Sequence, residues 1–182
     1  MKINMTSTFS FRWRSWLGLS VALFLLYGAF NVFAALSVPL SLHGRGAGAV
    51  GDTLVLTTTA DTALLGRSLT ELQQADPRLG AFLVTFMDTM CAQMMAFALL
   101  QLGVVWFALR RGQRWALWTA AVADLAIFPY YGAIIQAYAR FGVPPGDLSF
   151  LIGFAVVIVV ATAVGWFSLR QPPAPQGAPA PA

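Results

Sequence analysis

The sequence predicts an all-α integral membrane protein, a bundle of four transmembrane helices with both termini on the cytoplasmic side. Three observations lead there. Hydrophobic residues make up 58% of the 182-residue chain and charged residues only 10%, whereas a soluble domain carries about 25% charged residues. Four apolar runs are each long enough to cross a bilayer, which takes about 20 helical residues. The cations divide unevenly between the ends of those runs. Helices are expected rather than a barrel, because the runs are long and lack the alternation of roughly 10-residue barrel strands.

The first run covers 16–40 and follows Lys2, Arg12 and Arg14. A cleaved signal leader is the alternative here, favoured by the basic start and by Ala34 and Ala35. The length of the run, and Asn31 within it, favour a retained span. An outer loop, 41–78, comes next. Its glycine-rich start after His43 reads as flexible, and 53–59 (TLVLTTT) carries strand-like residues. Ser68 and Glu71 have the spacing of a capping box opening a short helix. Asp76-Pro77 reads as an N-cap followed by proline at the first helical position, a start signal for the second run, 79–109.

A tight turn with Arg110, Arg111 and Arg114 leads to the third run, 115–138. The fourth covers 148–169 and is followed by Arg170. Residues 1–170 therefore form one four-span domain. The tail 171–182 (QPPAPQGAPAPA) reads as extended and disordered. Lys2, Arg12, Arg14, Arg110, Arg111, Arg114 and Arg170 share one side. Arg45, Arg67, Arg78 and Arg140 share the other with Asp52, Asp61, Glu71, Asp76 and Asp147. The positive-inside rule makes the first side cytoplasmic, in an inner or other plasma-type membrane.

Composition also excludes function classes. The net charge of +4 comes from cations that orient helices, not from a solvated basic patch, so no nucleic-acid partner is expected. Cys91 is the one cysteine; no disulfide within the chain and no Cys/His metal spacing can be drawn. No GxSxG, HExxH, P-loop or CxxC marks a catalytic centre, and no cofactor or metal is expected.

Two acids lie within the spans, Asp88 and Asp124. At membrane depth such acids cost roughly 2.5–3.5 kcal/mol on insertion scales, so they face a bundle interior or a wet cavity. Asp124, Tyr131 and Tyr138, seven residues apart, share one helix face, as do Ser20, Tyr27 and Asn31 on the first span. These two polar stripes are expected to face each other or a common cavity. On the second span Gln93 and Gln101 point away from Asp88. Gln101 falls at the depth of Asp124 and is its expected partner. Met87, Met90, Met94 and Met95 read as bundle packing or as the adaptable wall of an apolar pocket. Pro129 should kink the third span, and Ala161 with Gly165 should mark a close helix contact. His43 reads as a solvated histidine near the outer surface.

Asp76-Pro77 before the second span, Asp88 and Gln93 within it, and the basic turn Arg111-Gly112-Gln113-Arg114-Trp115 resemble the EXPERA family of emopamil-binding and sigma-2-receptor-like proteins. These features cover a minority of the chain, and the first span departs from the pattern in having no acid. The resemblance implies a compact membrane bundle that binds or isomerises sterols through intramembrane acids.

The expected function is binding of an apolar or lipid-like molecule in a polar-lined intramembrane pocket. The ligand-binding candidates are Asp124, Tyr131, Asn31, Asp88, Gln93, Gln101 and Tyr27. The alternative is an accessory subunit or homo-oligomer in which the same residues hold helices together. A third reading, a small proton- or ion-coupled carrier, would require oligomerisation of so short a chain.

Overall fold

The computed structural model describes residues 11–44, 53–143 and 149–170. The helices are α1 (Trp16–His43), α2 (Thr58–Leu65), α3 (Leu69–Ala75), α4 (Pro77–Phe107), α5 (Arg114–Leu125), α6 (Phe128–Arg140) and α7 (Ser149–Arg170), with no strand among the described residues. Four stretches are long and apolar enough to span a membrane: Trp16–His43, Pro77–Arg111, Arg114–Arg140 and Ser149–Arg170. The expected tail and most of the glycine-rich stretch after His43 lie outside the described residues.

Local signals set the helix boundaries. Ser15 caps α1 by accepting from Gly18 N–H at 3.0 Å. Ser68 and Glu71 form the expected capping box of α3, and Asp76 caps α4 with Pro77 in its first turn. Between α4 and α5 the chain tightens into a 3₁₀ turn, Leu109–Arg111. It reverses at Gly112, whose φ of 76° falls in the left-handed region that only glycine adopts freely.

Two elements differ from the sequence reading. The strand-like stretch 53–59 runs into a helix instead. Thr57 caps α2 through Ala60 N–H at 3.1 Å, and left-handed Gly66 ends it. Strand propensity depends on a pleated, half-buried neighbour, and none is present here. The third span divides into α5 and α6 at Ala126–Ile127. Pro129 has no N–H to give the Leu125 carbonyl, and its ring crowds that same carbonyl.

The core lies at one end of the bundle. Leu17, Val21 and Phe24 of α1 meet Val105 of α4, Leu109, Leu117 of α5 and Ile158 of α7. At this end α7 approaches closely: a Cβ on Gly165 would fall 2.5 Å from Ser20 Oγ and 2.8 Å from Leu117 Cδ1. Ser20 Oγ donates to the Ala161 carbonyl at 2.7 Å, so the small residues of α7 are used within the bundle. At the other end α6 packs chiefly against α2, in a small cluster of Ala60, Tyr138 and Val143. The bundle is tight where α1 begins and splayed where α6 ends.

Candidate functional site

Asp124 is the penultimate residue of α5, two residues before the break. It is 1% exposed. Gln101, 5% exposed on α4, donates Nε2–H to Asp124 Oδ2 at 2.8 Å, the pairing expected from their equal depth. The remaining two oxygens, Gln101 Oε1 and Asp124 Oδ1, are buried without a hydrogen-bond partner. A buried polar atom left unpaired costs about 1–3 kcal/mol, so two on one hydrogen-bonded pair form an unusual arrangement. Gly28 lets α1 approach α4 here: a Cβ on it would meet Leu102 at 2.8 Å and Gln101 Oε1 at 3.8 Å.

The polar stripes meet in part. Tyr27 of α1 interacts with Tyr131 of α6, and the Asp124 carboxyl acts electrostatically on both. Asn31 also contacts the Tyr27 side chain and donates to the Tyr27 carbonyl at 2.9 Å. Ser20 faces α7 instead. Tyr27, Asn31, Gln101, Asp124 and Tyr131 thus join four helices around the break in the third span.

Asp88 and Gln93 lie apart from this cluster. Asp88 pairs with His43 at the end of α1, with Nε2 2.9 Å from Oδ2 and 3.1 Å from Oδ1. His43 is exposed, as expected, but it has a partner. Gln93 is exposed on α4, between Met90 and Phe97, which are also exposed.

The splayed end holds a cavity of about 140 Å³ lined by Leu54, Leu64, Leu83, Phe86, Met87 and Tyr138, with Asp61 at its wall. Roughly 150 Å³ of apolar space accepts one benzene ring, so this volume suits a ring or a short alkyl end and nothing larger. Of the methionine cluster only Met87 lines it. Asp61, read from the sequence as one of the outer-loop charges, is 2% exposed. It accepts from the backbone N–H groups of Leu54 at 2.6 Å, Val55 at 3.0 Å and Leu56 at 3.3 Å, and from Tyr138 Oη at 2.5 Å. This carboxylate is fully used in fastening α2 to α6.

Apart from Trp115 in the basic turn, the tryptophans belong to no motif of the sequence, yet they share one end of the bundle. All six, Trp13, Trp16, Trp106, Trp115, Trp118 and Trp166, stand at the end where α1 begins. The signal was their closeness in sequence to the cations of that end. Among the described residues no His/Cys/Asp/Glu group is arranged to hold a metal. Chemically, the Asp124–Gln101 pair leaves one carboxyl oxygen and one amide oxygen buried without a partner. Comparison with protein-family models, curated proteins and solved structures yields no match to the chain.

Proposed function

We propose that this is a multi-pass protein of a plasma-type membrane that binds an apolar or lipid-like molecule carrying a hydrogen-bond donor. Asp124 and Gln101 receive the donor. The observation that carries this reading is the pair of unpartnered buried acceptors beside the broken third span. An ammonium head has N–H groups enough to satisfy both oxygens together, and a hydroxyl, with one O–H, would satisfy one of them. The apolar body would enter from the lipid past Phe128 and Tyr131, whose rings lie 6.2 Å apart at the start of α6.

Membrane placement is supported by the outer surface of the helices. Phe30, Phe33, Leu40, Leu100, Phe107, Ile152 and Phe167 are all exposed, far more apolar surface than a soluble monomer carries. Counted from Phe107, Asp88 lies about 28 Å along α4, close to the roughly 30 Å thickness of a hydrocarbon core, so the His43–Asp88 pair falls at the outer boundary. Asp124, about 15 Å from Arg114, falls near the middle. The arginine- and tryptophan-rich end then faces the cytoplasm, with both termini. A cysteine placed after Arg170, in a Cys91→Ala background, should resist impermeant thiol reagents added outside the cell. Rapid outside labelling would invert or break the four-span reading.

The ligand reading is tested by replacing Phe128 with a diazirine phenylalanine and illuminating intact membranes. The expected adduct is a lipid-sized molecule with a hydroxyl or amine. The resemblance to sterol-binding bundles points to the same ligand class, although Asp88 and Gln93, the residues it singles out, lie outside this site. A specific observation favours the accessory-subunit reading as well: the Gln93 amide faces outward among apolar residues, and such an amide in lipid recruits a partner helix. An adduct to another polypeptide, with none to a small molecule, would put that reading ahead.

A further inference from the structure

At the end where α1 begins, the described arginines Arg12, Arg14, Arg110, Arg111, Arg114 and Arg170 gather with all six tryptophans, and among the described residues no acid belongs to that end. Two of these arginines stand on the surface where the start of α5 meets the end of α7. Arg114, the first residue of α5, donates Nη2–H to the Leu169 carbonyl at 2.9 Å and so is held against the last turn of α7. Arg170, the last residue of α7, lies with its guanidinium 4.1 Å above the Trp166 ring. Trp118 meets Trp166 edge to face, with centroids 5.0 Å apart. A guanidinium lying flat on an indole keeps its N–H edge free for an oxyanion. Trp118 and Phe167 are exposed beside it and continue the apolar surface of α5 and α7.

We infer that this arginine–tryptophan surface binds the phosphodiester headgroup of an anionic phospholipid. Arg114 and Arg170 clamp the phosphate, and Trp118 and Trp166 hold the glycerol and upper acyl region. Two cations without a local acid select a negatively charged headgroup over a zwitterionic one. The exposed tryptophan and phenylalanine select a lipid over a free phosphate, because they offer area that only an acyl chain can cover. This site is separate from the Asp124–Gln101 pair and does not depend on what occupies it.

The tryptophans provide the readout, since they all stand at this end. The full chain in mild detergent is titrated with phosphatidylglycerol brominated near the top of its acyl chains, and separately with equally brominated phosphatidylcholine, following quenching of tryptophan fluorescence. Phosphatidylglycerol should quench at a concentration at least tenfold lower. Each clamp arginine should contribute about fivefold, as expected for a cation at a membrane surface. The double variant Arg114→Gln/Arg170→Gln should therefore lose the preference while keeping its melting temperature. The charge-matched variant Arg12→Gln/Arg14→Gln should retain it. Equal quenching by both lipids, equal loss in the charge-matched variant, or displacement of the lipid by an equimolar amount of inorganic phosphate would overturn the assignment.

Discussion

Asp61→Ala opens the outer cap of the protein. The substitution removes the acceptor of three consecutive backbone N–H groups and of the Tyr138 hydroxyl at once. Each bond to a charged acceptor contributes about 1.5–3 kcal/mol, and water reaching the opened loop recovers part of that, so the net cost should be about 3 kcal/mol or more. Tyr138→Phe removes a single bond and should cost about 1.5–2 kcal/mol. Asp61→Asn falls between them, because one of its oxygens is replaced by a donor facing other donors. Hydrogen exchange at the amides of Leu54, Val55 and Leu56 reports the effect directly. Exchange as slow in Asp61→Ala as in the natural chain would show that something else fastens α2 to α6.

Asp124 separates stability from binding. Asp124→Leu leaves the Gln101 amide buried without its partner and should cost about 0.5–2 kcal/mol, the range of hydrogen bonds between membrane helices. Asp124→Asn behaves differently. Its oxygen still accepts from Gln101 Nε2, and its new N–H group can donate to Gln101 Oε1, one of the two oxygens now unpartnered. The melting temperature of Asp124→Asn should therefore equal or exceed that of the natural chain, while Asp124→Leu melts lower. A site that keeps an unfavourable pair of acceptors trades stability for function. If Asp124→Asn melts as low as Asp124→Leu, the two oxygens are not unsatisfied and the pair serves packing alone.

Much of this was legible from the residues, for physical reasons that also explain the gaps. The four long apolar helices follow from hydropathy, because an apolar run of that length satisfies its own backbone as a helix. Ser68, Glu71, Asp76 and Pro77 act within one turn of themselves, so their capping roles could be read directly. The Gln101–Asp124 bond was accessible because a tight turn makes α4 and α5 antiparallel neighbours and so fixes relative depth. Asp61 was missed because its partners are distant in sequence or are backbone groups, which carry no residue signal. The parting of α6 from the bundle was missed because proline announces a kink but not its direction. Hence Asp124, Tyr131 and Tyr138, which share one face of a continuous helix, serve two separate places across a broken one.

Native mass spectrometry of the protein released from mild detergent shows whether the Asp124–Gln101 pair holds a ligand. In the proposed function the unpartnered oxygens of Asp124 and Gln101 receive the donor of a lipid-like molecule. The natural chain should then carry a bound small molecule with a hydroxyl or amine. Asp124→Asn, folded and at least as stable, should carry none, because a donor now stands where the ligand's donor must be received. A natural chain free of any small molecule, or the same molecule retained equally by Asp124→Asn, would contradict it.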